Sequence, residues 1–118
     1  MLKKENRLKA RHAFYATYSN NNTIYSDSIL LYIGRKKIDI SRPTRVGFVV
    51  SKKIHKRAVV RNRIKRLLRE NVRLMFINNE ISDQYQSLVF VVKGDVSNYS
   101  FLQINKTIKN LMYKLSKN

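Results

Sequence analysis

The fold of this chain is decided by the stretch Arg57–Arg73, which reads RAVVRNRIKRLLRENVR. Wound as an α-helix at about 100° per residue, the stretch separates its cationic side chains from its apolar ones. The polar side, called the basic face below, covers roughly 140° and consists of Arg61, Asn62, Lys65, Arg66, Arg69 and Arg73. The apolar side consists of Val60, Ile64, Leu67, Leu68, Leu74 and Met75. This pattern predicts a helix from about Ala58 to Ile77 that packs on a core and exposes a row of positive charge.

The basic face repels itself. Like charges four residues apart on a helix, as at Arg61 and Lys65 or Lys65 and Arg69, each cost a few tenths of a kcal/mol. The whole chain shares this excess, because 25 Lys and Arg stand against 7 Asp and Glu, for a formal net charge of +18. Such an excess indicates a polyanionic partner, with nucleic acid favoured over an anionic membrane surface.

Length and composition restrict the class of protein. A chain of 118 residues with 43% hydrophobic residues is enough for one domain with one core. The absence of cysteine excludes disulfides, cysteine-ligated zinc and thiol catalysis. No apolar run approaches the roughly 20 residues that a membrane-spanning helix needs, and no signal-peptide pattern is present. We therefore expect a cytoplasmic protein without a membrane partner.

The remaining elements are predicted from periodicity and turn residues. Residues 1–9 are expected to form a flexible basic arm, and a short further strand is possible at Thr23–Tyr25. The predicted order is a helix at 10–19, strands at 26–33 and 45–51, the long helix, a strand at 87–93 and a helix after Ser100. Ser100 and Gln103 have the spacing of a capping box. This order predicts an α/β (α+β) two-layer sandwich within a single domain spanning residues 1–118.

Two neighbouring segments carry a family resemblance. The segment Arg45–Lys53 (RVGFVVSKK), followed by Arg57–Glu70 (RAVVRNRIKRLLRE), closely resembles the protein subunit of bacterial ribonuclease P. The strand, loop and helix together make a string of over twenty positions, which is much more specific than a basic triplet alone. The resemblance extends to the helix with Phe14 and Tyr18 near the start of the chain and to the strand with Tyr32.

The resemblance implies that the protein is a small basic partner of a catalytic RNA. Together, the protein and the RNA are expected to remove the 5′ leader from precursor tRNA. The implied fold is that of the second domain of a small-subunit ribosomal protein, with a left-handed crossover between parallel strands. The catalytic centre is expected in the RNA, with Mg²⁺ held mainly by RNA phosphates, no metal held by the protein, and the protein inactive alone. The implied partners are thus the catalytic RNA and precursor tRNA.

The resemblance and the charge pattern together identify candidate site residues. A cleft between the first helix and the sheet is implied to hold the single-stranded leader through Phe14, Tyr18 and Tyr32. Arginine suits phosphate because its planar guanidinium can donate two parallel hydrogen bonds. The candidate RNA-binding residues are Lys52, Lys53, Lys56, Arg57, Arg61, Asn62, Arg63, Lys65, Arg66, Arg69 and Arg73.

Other functions remain open from the residues alone. A structural RNA-binding protein of ribosomal type would have the same composition and is the main alternative. A protein-only nuclease would need grouped carboxylates, whereas the 7 acids are scattered and form no recognisable pair with each other or with His12 and His55. A DNA-binding basic helix lacks a heptad zipper after Arg73. Phe14, Tyr18 and Tyr32 could each be ordinary core residues, and the loop lysines could be solvated surface charges.

Overall fold

One four-stranded sheet organises the computed structural model, which describes residues 2–117. The strand order is β1-β2-β4-β3, and only β3 and β4 are parallel. The elements in chain order are α1 (Arg11–Ser19), β1 (Thr23–Ser26), β2 (Ile29–Ile33), β3 (Arg45–Val50), α2 (Ala58–Ile77), β4 (Ser87–Val92) and α3 (Phe101–Ser116). The predicted α+β class is confirmed, as are the bounds of the long helix.

The helices cover the two faces of the sheet unequally. Side chains of α2 and α3, such as Ile64 and Ile108, share a core with alternate strand residues, such as Leu31 and Phe90. Burying such a side chain contributes about 1.5–3 kcal/mol. The shorter α1 lies across the opposite face, which we call the outer face, and covers only part of it. That partial cover leaves room beside α1 for a ligand.

The first predicted strand is corrected to a β-hairpin. Residues 26–28 do not belong to β2, because Ser26 ends β1 and pairs with Ile29 across a two-residue turn. Asp27 and Ser28 have φ angles of 39° and 66°. Positive φ at both central residues suits the twist of a tight hairpin. The Asp27 carboxylate accepts a hydrogen bond from the Tyr99 hydroxyl at 2.7 Å, which fastens this turn to the segment before α3. The short strand considered at Thr23–Tyr25 is thereby confirmed as β1.

The long helix α2 connects two adjacent parallel strands. Arg45 to Val50 pair in register with Ser87 to Val92. The parallel arrangement implied by the family resemblance is therefore present, and the left hand of the connection stays a prediction. This topology places the loop at 51–57 and the start of α2 at the carboxyl end of β3.

The N-terminal segment is attached to the sheet, contrary to the expectation of a flexible arm at residues 1–9. Leu2 is buried in the core, Asn6 donates to the Thr44 carbonyl at 2.9 Å, and the Leu8 amide donates to the Val46 carbonyl at 3.0 Å. These bonds cover the free edge of β3, which would otherwise expose unpaired backbone groups. Met1 lies outside the described residues.

The last helix begins at the predicted capping box. The Ser100 hydroxyl accepts from the Gln103 amide at 3.2 Å, and the Gln103 side chain accepts from the Ser100 amide at 2.7 Å. Such reciprocal bonds satisfy two backbone donors that the helix leaves free. Among residues 2–117, no helix has the length and apolar content required to cross a bilayer.

Candidate nucleic-acid interface

The orientation of α2 separates its cations into two groups. Ile64, Leu68 and Val72 are fully buried, whereas Leu74, predicted for the apolar side, is only half-buried. Compared with the prediction, the side of α2 that faces the core is therefore rotated about the helix axis toward Arg61. As a result Asn62, Arg66 and Arg69 are exposed, Lys65 and Arg73 are half-buried, and Arg61 lies at the edge of the buried side.

Arg61 holds the loop that precedes its own helix. Its Nη1 donates to the carbonyls of His55 and Lys56, at 2.9 and 2.8 Å. These carbonyls immediately precede the helix, so the bonds fix the direction in which the chain enters α2. Nη1 is thereby occupied, while Nε and Nη2 have no partner among residues 2–117. The predicted contact between Arg61 and RNA stays a prediction, and the structure adds a positioning role.

Arg63 makes a similar contact on the other flank of α2. Its Nη1 donates to the Ser97 carbonyl at 2.6 Å and its Nη2 approaches the Tyr99 carbonyl at 3.4 Å. These bonds tie the start of α2 to the loop before α3. The two arginines on either side of Asn62 thus brace the protein, and the exposed Asn62 is presented between them.

Arg73 is partly neutralised by the only acid of α2. The Glu70 carboxylate accepts from Arg73 Nη2 at 2.6 Å and from Arg73 Nε at 3.2 Å. These hydrogen bonds, and then the positive charge itself, lower the pKa of Glu70. Both groups therefore remain ionised near neutral pH, and Arg73 has less positive charge to offer a phosphate than Arg69 has.

The side chains of the other predicted cations have no partner within the described residues 2–117. None of them makes a hydrogen bond or an ion pair; these residues are Lys52, Lys53, Lys56, Arg57, Lys65, Arg66 and Arg69. Cationic side chains that have no partner within the protein can pair with the phosphates of an RNA backbone. The loop at 52–57 and the outer side of α2 therefore form one continuous cationic surface at the carboxyl end of β3.

His55 anchors that cationic loop. Its ring is only 4% exposed, and Nε2 accepts the Val96 amide at 3.1 Å. This bond requires a neutral ring with its proton on Nδ1, which is buried and has no partner in the described structure. The Asp95 carboxylate lies 3.3 Å from the same Nε2. Because Nε2 of the neutral ring presents only a lone pair, it cannot donate a hydrogen bond to this carboxylate. His55 is thus a buried support for the loop.

The predicted leader-binding aromatics come together at the contact between α1 and β2. The rings of Phe14 and Tyr18 are 6.4 Å apart, and those of Tyr18 and Tyr32 are 4.7 Å apart in an edge-to-face arrangement. All three are half-buried. Burial, and then the neighbouring hydroxyls of Tyr32 and Tyr15, raise the pKa of Tyr18, so its hydroxyl stays protonated and can donate a hydrogen bond.

Tyr15 extends this set of rings and was missed from the sequence. Its ring lies 6.4 Å from that of Tyr18 and is 62% exposed. The signal available was the spacing of three residues between Tyr15 and Tyr18, which places both on neighbouring parts of one helix surface.

A groove of about 330 Å³ connects one ring of the aromatic set (Phe14, Tyr15, Tyr18 and Tyr32) to one cation of the basic face, because both Phe14 and Arg69 line it. Phe14 and Gly47 line it from the outer face of the sheet, and Arg69 lines it from α2. Arg7 and Lys9 line the same groove, and neither was predicted as a site residue, because an isolated cation near a chain end carries no pattern. The groove thus offers apolar and cationic side chains within one concave surface.

The described residues contain no cluster of metal-ligating side chains. Across residues 2–117, no three side chains of His, Cys, Asp or Glu are grouped closely enough to hold a metal ion. Mg²⁺ prefers an octahedral set of oxygen ligands, and the acids nearest the basic face, such as Glu70, are engaged by arginine.

These features define the chain as a small α+β protein with an exposed cationic helix and an adjoining aromatic groove, a nucleic-acid-binding class. Residues 2–116 match the family model described as Ribonuclease P. The chain belongs to the ribonuclease P protein family, whose members are RNA-binding subunits of a tRNA-processing ribonucleoprotein.

Similar proteins match this chain over most of their own length. The ribonuclease P protein component of Caldanaerobacter subterraneus is 36% identical over 114 residues, covering 97% of this chain and 92% of the relative. That of Clostridioides difficile is 36% identical, covering 89% and 87%. The structure of the Staphylococcus aureus RNase P protein superimposes with a TM-score of 0.73 at 26% identity, covering 97% of each chain. The Thermotoga maritima RNase P protein, at 21% identity and a TM-score of 0.76, shares the fold.

Proposed function

We propose that this protein binds the catalytic RNA of ribonuclease P and the single-stranded 5′ leader of precursor tRNA, and so assists endonucleolytic removal of the leader. The observation that carries this proposal is the groove lined by both Phe14 and Arg69, which connects a surface suited to bases with a surface suited to phosphates. The ribosomal-type alternative is not favoured by the family match.

The catalytic RNA would bind the cationic surface of α2 and the loop at 52–57. A helix of 20 residues is about 30 Å long, which spans several phosphates of a structured RNA. Arg66 and Arg69 are exposed and have no partner within residues 2–117, so they can donate bidentate hydrogen bonds to phosphate. With about six such contacts, the slope of log affinity against log salt is roughly −4 to −5.

The leader would lie on the aromatic set beside α1. Stacking of a base on an aromatic side chain contributes about 1–3 kcal/mol and tolerates any base, since every base has a π-face. That tolerance suits leaders of varied sequence. Tyr32 and Tyr18 would contact unpaired bases, and Arg69 at the end of the groove would contact the neighbouring backbone.

The chemistry would take place in the RNA. Mg²⁺ held by RNA phosphates would supply the activated water and stabilise charge at the cleaved phosphodiester. The residues of this chain would lower the repulsion between two RNAs and hold the leader in place. The absence of cysteine agrees with the reducing cytoplasm, where we expect the complex to work.

Reconstitution tests the proposal. The protein, the catalytic RNA from the same genome and a tRNA with a 5′ extension are combined at low and high Mg²⁺. We expect cleavage at low Mg²⁺ only when protein and RNA are both present, and weaker cleavage by the RNA alone at high Mg²⁺. Cleavage by highly purified protein without RNA, or no effect of the protein on the RNA at either Mg²⁺ concentration, would overturn the proposal.

A further inference from the structure

Helix α1 divides the outer face of the sheet into two parts. Beneath the helix, Gly47, Val89 and Tyr32 lie side by side on β3, β4 and β2. The row of Val49, Val91 and Leu30 lies on one side of this line, and Arg45 and Ser87 lie on the other. The proposed aromatic cleft uses only one flank of α1, where Phe14 and Tyr18 project.

A larger groove of about 820 Å³ lies on the opposite flank of α1. Ala13 and Ala16 form its wall on α1, and Arg45 and Ser87 form its floor at the first residues of β3 and β4. The other wall is the connection at 37–43. The small alanine side chains keep the groove open along its whole wall. None of the predicted site residues lines it.

The charge of this groove is positive. Lys37, Arg42 and Arg45 line it, and no side-chain hydrogen bond or ion pair engages any of them within the described chain. The single acid, Asp39, accepts from the Ser41 hydroxyl at 2.6 Å and from the Ser41 amide at 3.0 Å. These two bonds, and then the positive charges of Arg42 and Lys37, lower the pKa of Asp39, so it stays ionised and offsets only one of the three positive charges of the groove.

Apolar surface accompanies the cations. The side chain of Ile38 also lines the groove and is 99% exposed. An exposed aliphatic side chain beside two guanidinium groups can pack against a base while the guanidiniums contact phosphate. A duplex would not be required, because a single strand can present its bases and its backbone to such a surface.

The two grooves meet at the start of α1. Leu8 lines both the groove that contains Phe14 and Arg69 and the larger basic groove. Residue 8 precedes α1 by three positions, so the shared wall passes around the N-terminal end of the helix. A strand that leaves the Phe14 groove therefore reaches the basic groove by passing over residues 8–10, which lead from the edge of β3 into α1, and does not have to cross α1 itself.

We propose that the groove formed by Ala13, Lys37, Arg42 and Arg45 binds the upstream nucleotides of a long 5′ leader, after the leader has passed the aromatic set and the start of α1. This inference rests on the proposed function. It predicts that long leaders gain affinity from phosphate contacts that short leaders cannot reach.

The test compares Arg42→Gln/Arg45→Gln with the wild type, each assembled with the catalytic RNA, on precursor tRNAs with leaders of roughly 4 and roughly 16 nucleotides. We expect the variant to bind the long-leader substrate several-fold more weakly, with a salt slope smaller by about 1.4, since each single-strand phosphate contact contributes about 0.7. The short-leader substrate and mature tRNA should bind as they do to the wild type.

Lys106→Gln/Lys117→Gln is the matched control, because it removes the same net charge from exposed positions on α3 and directly after it and should not distinguish the two leaders. Equal losses for all substrates would instead assign Arg42 and Arg45 to the catalytic RNA and overturn this inference, as would no loss at all. Tyr32→Ala, tested in parallel, separates the two proposals, because it weakens both precursors if the leader lies on the aromatic set.

Discussion

Phe14 of α1 stands directly over Gly47 of β3. A Cβ added at Gly47 would lie 2.5 Å from Cε1 of the Phe14 ring, closer than side-chain carbons normally approach. The glycine is therefore needed for space, and its backbone conformation is not unusual, since no glycine in residues 2–117 has a positive φ. This contact sets the depth at which α1 lies on the outer face and hence the width of both grooves beside it.

Gly47→Ala should displace Phe14. Overpacking of this kind costs about 1–3 kcal/mol, which urea unfolding would measure. We expect weaker binding of precursor tRNA, with binding of the catalytic RNA nearly unchanged, because α2 is not touched. The double variant Gly47→Ala/Phe14→Ala should lose less stability than the sum of the losses in the two single variants. An additive loss would show that the two residues are not in steric contact.

Neutralising the free cations of α2 should reduce assembly. Lys65→Gln/Arg66→Gln/Arg69→Gln should lower affinity for the catalytic RNA and reduce the salt slope by about 2 to 3, since each phosphate contact contributes roughly 0.7–0.9. Filter binding over a salt series gives both numbers. Lys106→Gln/Lys109→Gln/Lys117→Gln, on α3 and at the residue that follows it, is the control of equal charge, and an identical loss there would mean that net charge alone drives assembly.

Arg61→Gln should behave differently from that triple change. Arg61 holds two carbonyls of the basic loop, and losing such hydrogen bonds costs about 0.5–1.5 kcal/mol each. We expect reduced stability together with weaker RNA binding, and a change in salt slope of at most one contact. Proteolysis of the free protein at the loop should become faster. Unchanged stability and proteolysis would exclude the positioning role.

Glu70→Gln should strengthen RNA binding. The substitution removes the carboxylate that engages Arg73 and frees this guanidinium for phosphate. The affinity should rise, and the salt slope should become steeper by roughly 0.7–0.9 if Arg73 gains one phosphate contact. In Glu70→Gln/Arg73→Gln the gain should disappear. Asp83→Asn raises the net charge by the same amount at an exposed position outside α2, and an equal gain in that variant would assign the effect to net charge.

Tyr32→Ala should weaken binding of precursor tRNA much more than binding of mature tRNA. The substitution removes one ring of the aromatic set, and loss of a stacked base costs about 1–3 kcal/mol, or roughly 5- to 150-fold in affinity. Tyr113→Ala, which removes an exposed ring from α3 on the opposite face of the sheet, is a suitable control. Equal losses for precursor and mature tRNA would remove the leader from this surface.

The hydrogen bond between Tyr99 and Asp27 should make the free energy of unfolding depend on pH in the alkaline range. The hydrogen bond to Asp27, and then burial, raise the pKa of Tyr99. A raised pKa means that the folded state holds this proton more tightly than the unfolded state does. The hydrogen bond therefore contributes fully to stability below the ordinary tyrosine pKa of about 10. This contribution is lost as the pH rises through the raised pKa. Tyr99→Phe should be less stable at neutral pH and should lack this part of the alkaline loss.

Much of α2 and α3 could be predicted from local pattern. The bounds of α2 follow from its apolar periodicity, and the start of α3 follows from Ser100 and Gln103, because capping bonds form between residues three positions apart. The hairpin at Asp27 and Ser28 was missed, since positive φ usually selects glycine or asparagine. Here the contact of Asp27 with Tyr99 accompanies that turn, and the partner is 72 residues away in the chain.

The contacts of charged and polar side chains with other parts of the protein could not be predicted from the sequence. Helical spacing placed Arg61 and Arg69 on the same face, yet Arg61 bonds to the preceding loop and Arg69 reaches the groove of Phe14. Asn71, which sits among apolar residues of α2, is buried where its amide donates to the Leu67 carbonyl at 2.9 Å and approaches the Phe101 carbonyl of α3 at 3.4 Å. Each outcome depends on which groups the packed neighbours of α2 bring near, and helical spacing alone does not give this.

The sequence by itself determined that this protein has a rigid cationic helix on a small α+β core, because charge, periodicity and caps act over a few residues. Only the tertiary structure decided which of those cations are free for RNA, that Gly47 makes room for Phe14, and that two grooves meet at Leu8. The physical reason is that side-chain hydrogen bonding and concave surface arise between segments distant in the chain, where the packing of α1, α2 and the N-terminal segment on one sheet fixes every distance.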